Sequence, residues 1–336
     1  MTNNFATPDV SIVIPVYNEE AVLSLLFERL YPVLETLQHS YEVIFVDDGS
    51  RDHSAALLRK QFQLYPDTTR IVFLRANAGQ HAALIAGFER ARGRYILTLD
   101  ADLQNPPEEI PNLLLQMDAG FDYVGTIRRE RKDSRWRHWA SLAMNRLREK
   151  VTHIRITDQG CMMRAYHRDI IDAVLATTET HTFIPALAYL YAGNPTEIVI
   201  NHEERAAGES KYSLLKLIHL NFDLMTGFSI APLQAFSLIG IGVSMFSLLF
   251  VVYLGWRRLT VGPEAEGVFT LFAIVFFLIG ILLFGIGLLG EYIGRIYSQT
   301  RSRPRYLIKA VLDNSVGAAL AATVAAKAAP TDDNKP

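Results

Sequence analysis

The chain has a single cysteine, Cys161, in 336 residues. That excludes an internal disulfide framework and fits a reducing compartment. It also has no Cys/His cluster of the kind that holds zinc. No Gly-x-Gly-x-x-Gly follows the first apolar strand and no Walker lysine loop occurs, so the usual dinucleotide and ATP sites are excluded. Charge of one sign is not in excess: 33 Lys and Arg stand against 35 Asp and Glu, which argues against a nucleic-acid protein. Charge is missing altogether from Leu224 to Trp256 and from Gly267 to Gly290. Each run exceeds the roughly 20 residues needed to cross a bilayer. Joined by the short loop Arg257 to Glu266, the two runs read as a membrane hairpin rather than two core helices. Met1 to Asp9 is polar and leads straight into a strand, so no cleavable signal is expected and the first 220 residues stay on the side where they are made.

The flanks of the hairpin set its expected orientation. Lys211 and Lys216 precede it and Arg295, Arg301, Arg303, Arg305 and Lys309 follow it, whereas its loop offers Arg257 and Arg258 offset by Glu264 and Glu266. By the positive-inside rule both ends are cytoplasmic, and the basic stripe suits an anionic lipid surface. Gly240, Gly242, Gly280, Gly285 and Gly287 offer small-residue faces through which a homo-oligomer could pack.

The remainder alternates strand and helix patterns. Strands are expected at Val10–Val16, Tyr41–Asp47, Arg70–Arg75, Arg94–Leu99, Asp122–Ile127 and Glu197–Asn201, several of them continuous Val/Ile/Leu/Phe runs of the parallel-sheet type. Helices are expected at Glu19–Leu37, Asp52–Tyr65, Gln80–Arg92 and Glu108–Met117, where apolar residues recur at three- and four-residue spacing. The alternation predicts a doubly wound α/β domain that binds ligand at the strand carboxyl ends.

Three of those ends carry chemistry. Leu99-Asp-Ala-Asp-Leu-Gln-Asn-Pro-Pro-Glu108 closes a strand with Asp100 and Asp102 at i and i+2, a spacing that would turn both carboxylates toward one divalent cation. In isolation an Asp-x-Asp is more readily a solvated turn with an N-cap aspartate, because the pattern is short and common. The first strand ends in Pro15-Val-Tyr-Asn-Glu19 and the second in Val46-Asp-Asp-Gly-Ser50, where a Tyr face and a carboxylate could stack on and hydrogen-bond a nucleobase. Capping by Ser50 or Asp52 alone would explain the second motif.

These motifs, with Gly125-Thr-Ile-Arg128, Gly160-Cys-Met-Met-Arg-Ala-Tyr166, Gly208-Glu-Ser-Lys-Tyr212 and Gly287-Leu-Leu-Gly-Glu-Tyr-Ile-Gly-Arg-Ile-Tyr297, resemble the family-two, GT-A-type glycosyltransferases that move sugars from nucleotide diphosphates to polyprenyl phosphates. The resemblance runs from about Val10 to Lys309. It implies a GT-A fold, a mostly parallel Rossmann-like sheet, with interfacial helices and a two-helix transmembrane hairpin. It also implies inverting transfer of an aminosugar derivative from a UDP-sugar to undecaprenyl phosphate, with glucose as the alternative sugar. By position, Pro15, Tyr17, Glu19, Val46, Asp48 and Ala101 would contact the nucleotide, with Asp48 near the base. Asp100, Asp102 and Gln104 would bind Mg2+ or Mn2+ on the diphosphate. Arg128, Arg137, Arg205 and Lys211 would meet phosphate or acceptor.

Asp158, in Thr157-Asp-Gln-Gly-Cys161, matches the family's candidate catalytic carboxylate. A general base is one role for it. Yet a phosphate monoester has its second pKa near about 6, so the acceptor is already mostly a dianion near neutral pH. Asp158 would then orient the acceptor through Arg137 or the metal, or position the donor sugar. The expected organisation is a cytoplasmic GT-A domain at 1–210, an interfacial amphipathic helix at 211–228, and two crossings within 229–290, at about 232–256 and 267–290. A cytoplasmic juxtamembrane segment at 291–312 and a disordered Ala-rich tail at 313–336 complete it.

Overall fold

The computed structural model describes residues 7–128, 154–158, 160–177, 183–203, 231–261, 268–300 and 304–314. They divide between two compact units: Met1–Ser134 with Ile154–Lys211 and Arg303–Pro336, and Arg135–His153 with Tyr212–Ser302.

The first unit is built on one eight-stranded sheet: β1 Val10–Val16, β2 Tyr41–Asp47, β3 Thr69–Leu74, β4 Tyr95–Thr98, β5 Tyr123–Arg128, β6 Arg164–His167, β7 Pro195–Ile200 and β8 Ile308–Leu312. Their spatial order is β7-β5-β6-β4-β1-β2-β3-β8. β1 pairs in parallel with β2 and β4, β2 with β3, and β5 with β7. Only β6 and β8 run against their neighbours. Six strands therefore release their carboxyl ends along one edge. Consecutive residues Ile12, Val13 and Ile14 are each fully buried, so both faces of the sheet are covered, which is why these strands read as unbroken apolar runs. The covering helices are α1 Glu20–Glu35, α2 Ser54–Leu64, α3 Gln80–Phe88, α4 Ile110–Asp118, α5 Arg168–Ala176 and α6 Ile184–Tyr191. A short 3-10 turn, Pro107–Glu109, leads into α4.

Three expectations are corrected here. β6 carries an Arg and a His in four residues and offers no apolar run to read. β8, in the stretch expected to be juxtamembrane, instead adds an antiparallel edge to β3. β4 stops at Thr98, so Asp100 and Asp102 occupy the turn beyond the strand and owe their proximity to that turn, not to a strand's two-residue period.

The second unit contains two long helices, α7 Ala231–Val261 and α8 Val268–Thr300. Within α8, Ile274–Gly294 is long and apolar enough to cross a membrane, whereas α7 contributes a shorter apolar stretch, Leu233–Val243. Among the described residues that is one span by length and composition where two were expected. Phe236 lies against Phe284 and over Gly285, so that glycine serves packing within the chain. The interfacial segment 211–228 and the tail beyond Asn314 lie outside the described residues.

At the opposite, amino-terminal end of the strands a buried polar cluster joins β1, β2 and β3. Glu42 accepts hydrogen bonds from Ser11 Oγ (2.6 Å) and the Arg92 amide (2.7 Å). Arg70 Nη2 sits 3.1 Å from Glu42 Oε2, a charge contact without good hydrogen-bond alignment. Arg70 Nε reaches Asp313 at 3.4 Å, just past β8. Removing one partner of such a pair strands the other's charge. Glu42→Ala should therefore destabilise the fold by about 3–5 kcal/mol, and Glu42→Gln by less. Thermal denaturation checks this, and a Tm for the Ala variant within about a degree of wild type would refute it.

Candidate active site

Because β1 and β2 are parallel neighbours, their following turns meet. Asn18, at φ 55°, and Gly49, at φ 69°, take left-handed conformations that reverse the chain. Gly49 cannot be replaced cheaply, since a Cβ there would sit 2.7 Å from the Ala76 carbonyl carbon. The turns are laced together: the Asn18 amide donates to Ser50 Oγ (3.0 Å), the Arg51 amide to Asn18 Oδ1 (2.8 Å), the Glu19 amide to Ser54 Oγ (2.9 Å) and the Glu20 amide to Asp52 (3.1 Å). The expected capping is not what Ser50 does: His53 is the N-cap of α2 and makes no side-chain cap bond. Ser50 and Asp52 instead tie this turn to the one after β1, and Asp52 also accepts the Ser54 amide at 3.0 Å. Pro15 pairs in register with Val46, Tyr17 is 42% exposed at the edge, and Glu19 precedes α1.

Asp48 is buried, and its carboxylate accepts from Asn77 Nδ2 (3.0 Å), the Ala78 amide (2.7 Å) and the Gly79 amide (2.9 Å). Burial raises its pKa while those amide bonds oppose the rise. The loop after β3 is therefore fixed by Asp48. Sequence reasoning assigned nothing to Asn77-Ala-Gly-Gln80, although it follows the carboxyl end of a parallel strand.

Gln80, the first residue of α3, donates from Nε2 to Asp100 Oδ1 at 2.6 Å. Burial, then the like charge of Asp102, pushes the Asp100 carboxyl up to about 7. Asp102 Oδ1 accepts the Gln104 amide at 3.2 Å, with Leu103 between them at φ 60° and Ala101 buried. No group of three or more His, Cys, Asp or Glu side chains poised for a metal occurs among the described residues. What the turn does provide is a pair of mutually repelling hard oxygen donors with an amide side chain two residues on. That donor set fits Mg2+ or Mn2+ completed by oxygen ligands from a diphosphate.

Arg128 leaves the end of β5 and meets Asp158, which arrives ahead of β6. Nε donates to Oδ2 at 2.6 Å and Nη2 to Oδ1 at 2.8 Å, a bidentate pair. The Gly160 amide adds a third bond, to Oδ1, at 3.0 Å. A Cβ at Gly160 would lie 2.6 Å from Arg128 Nη2, so a larger residue there would displace the guanidinium. The Asp158 hydrogen bonds raise the Arg128 pKa, and the guanidinium's charge also reaches Asp100. Behind the pair, fully buried Arg164 donates to the Asp158 carbonyl (2.7 Å), the Cys161 carbonyl (3.1 Å) and the Tyr123 hydroxyl. The Gly160–Tyr166 motif is thereby explained as the staple of the Asp158 loop. Cys161 is buried against Thr126 and Asn105, and burial raises its thiol pKa, so it acts as a packed residue.

His202, two residues past β7, was also not foreseen. Its Nδ1 is buried without a hydrogen bond, and burial, then the charge of Arg128, lowers its pKa, with Asp158 and Asp102 acting in the opposite sense. The edge thus brings together Asp100, Asp102, Arg128, Asp158 and His202. Arg137, Arg205 and Lys211 lie outside the described residues.

Residues 11–175 match glycosyl transferase family 2. A protein of Pseudomonas fluorescens named undecaprenyl-phosphate 4-deoxy-4-formamido-L-arabinose transferase is 48% identical over 305 residues, 90% of each chain. Proteins of the same name from Shewanella sediminis (48%, covering 93% of this chain and 95% of that one) and Edwardsiella ictaluri (49%, 90% and 94%) are similar to the same degree. A crystal structure of glucosyl-3-phosphoglycerate synthase from Mycobacterium tuberculosis aligns over 65% of this chain and 78% of that one, with TM-score 0.47 and 17% identity. Identity near one half over nine-tenths of the chain decides the matter: the protein belongs to glycosyl transferase family 2.

Proposed function

We propose that the protein transfers 4-deoxy-4-formamido-L-arabinose from its UDP-sugar to undecaprenyl phosphate, with inversion at the anomeric carbon. The similarity to transferases of that name along both chains carries this reading and does not favour glucose. Delivered onward to lipid A, the sugar would lower that lipid's negative charge and so confer polymyxin resistance. The basic flanks of the apolar runs support a bacterial inner-membrane protein whose catalytic domain and both ends are cytoplasmic.

Pro15, Tyr17, Glu19, Val46, Asp48 and Ala101 would form the nucleotide's surround, with Asp48 holding the 77–79 loop beside it. Asp100, Asp102 and Gln104 would hold Mg2+ or Mn2+. Bound there, the cation neutralises charge that develops on the departing diphosphate. Gln80 orients Asp100. Arg128 keeps donors beyond those given to Asp158, and these suit a phosphate oxygen. Asp158 has both oxygens engaged by Arg128 and Gly160, and an acceptor that is already a dianion needs little deprotonation. Asp158 therefore positions Arg128 rather than removing a proton. Arg137, Arg205 and Lys211 remain as the further phosphate and acceptor contacts of this proposal.

Purified full-length protein, given undecaprenyl phosphate and a panel of UDP-sugars, should use the formamido-arabinose donor and reject UDP-glucose. Preference for glucose would overturn the substrate assignment. Asp100→Asn and Asp102→Asn should each lose about 100-fold or more in turnover at unchanged Tm, as expected when metal-borne charge stabilisation is removed. Full activity in excess chelator would disprove the metal's part.

Arg128→Ala and Asp158→Asn should each lower kcat/KM, with the double variant no worse than the poorer single and a coupling of about 2 kcal/mol. The Asp158→Asn deficit should stay constant from mildly acidic to mildly alkaline pH. A deficit that vanishes as the acceptor loses its second proton would instead identify a general base.

A further inference from the structure

Beside the Asp47–Gly49 turn lies a cavity of about 310 Å³ whose lining includes Arg51, Arg59, Arg75 and Lys309, with Asp47 as its one carboxylate. That volume is in the range of small-molecule sites. In a chain with a formal net charge of −2, four cations around one cavity are a local excess. None of the four makes an ion pair with another described residue. Four cations against the single Asp47 carboxylate leave a positive excess that raises the potential inside the cavity and favours an anion there.

The cations are also held in place. The Arg59 guanidinium lies 4.4 Å above the Phe73 ring, which fixes its plane. The Arg75 amide donates to the Leu307 carbonyl at 2.8 Å, tying the end of β3 to the start of β8, which carries Lys309. The cavity is thus completed by the C-terminal strand, an element that the nucleotide motifs do not explain. It adjoins the candidate donor site, with Gly49, Ser50 and Asn77 in its lining, and its four cations lie outside the residues assigned to the nucleotide. Asp47 is the last residue of β2 and Asp48 the first beyond it. Asp48 turns to the 77–79 loop, whereas Asp47 lines the cavity and its carboxylate feels Lys309.

We propose that this cavity is a second anion site, adjoining that of the donor, which binds a phosphate group through Arg59, Arg75 and Lys309. Planar guanidinium forks and a compact ammonium suit a phosphate monoester or diester and give little recognition to neutral sugars. The phosphate is either free in solution or the headgroup of an anionic lipid.

The test uses the full-length protein in phosphatidylcholine nanodiscs, titrated calorimetrically with inorganic phosphate in the absence and presence of saturating UDP and Mn2+. Saturable binding that persists with UDP is expected. Arg59→Gln/Arg75→Gln should weaken it about tenfold or more, as the loss of charge-assisted bonds implies, and should leave transferase turnover within about twofold. Lys309→Gln, a single change on an exposed edge, gives the same test with a smaller loss should the double variant fail to fold. Replacing part of the phosphatidylcholine by phosphatidylglycerol distinguishes the sources: a phosphate titration shifted to higher concentration identifies the lipid headgroup, and an unshifted one identifies free phosphate. Absence of saturable binding, equal binding by the variants, or displacement of phosphate by UDP would each overturn the proposal. The phosphate titration without UDP stands whether or not the donor assignment holds.

Discussion

The site depends on one strand running the wrong way. β6 lies antiparallel between β4 and β5, so its amino end falls on the edge where its neighbours release their carboxyl ends. Asp158, arriving ahead of β6, is thereby delivered to Arg128 leaving β5. Holding that entry open costs the burial of a guanidinium, Arg164, which would be prohibitive without compensation. Two backbone carbonyls and the Tyr123 hydroxyl supply it. The loop that carries Asp158 is therefore fixed from the core side, and Arg128 is fixed in turn by Asp158.

Much of this was legible in the amino-acid order, for a physical reason. Strands covered on both faces must be apolar at every position, and β1 and β2 were found to the residue because nothing else in the chain gives seven-residue runs of that kind next to turn motifs. β6 and β8 escaped notice because neither obeys that rule. β6 is short and polar at both ends, and β8 alternates along an edge, inside a stretch whose Arg and Lys content had suggested a membrane surface.

The motif residues were likewise identifiable by type and position, but not by partner. Asp48 reads as a free carboxylate at a strand end, yet three donors from the loop after β3 engage it. Asp158 reads as a base or a positioning carboxylate without a named Arg128 partner, and its oxygens hold Arg128. In both cases the deciding bond links residues about 30 positions apart, from elements joined only by the sheet order, and no local pattern encodes such a pairing. His202 escaped for the opposite reason: a lone His after a strand is unremarkable until the parallel pairing of β7 with β5 brings it to Arg128.

Charge balance along the edge gives these pieces a common logic. Asp100, Asp102 and Asp158 contribute three carboxylates, against which the described part of the cluster sets Arg128, already committed to Asp158. Two like charges remain close together, and burial first, then the charge of Asp102, raises the Asp100 pKa. A diphosphate brought to such a place would be repelled. A divalent cation held by Asp100 and Asp102 would reverse the sign of that interaction. The turn that presents Asp100 and Asp102 is thus suited to a hard cation rather than to a bare anion, and burial together with mutual repulsion is what makes it so.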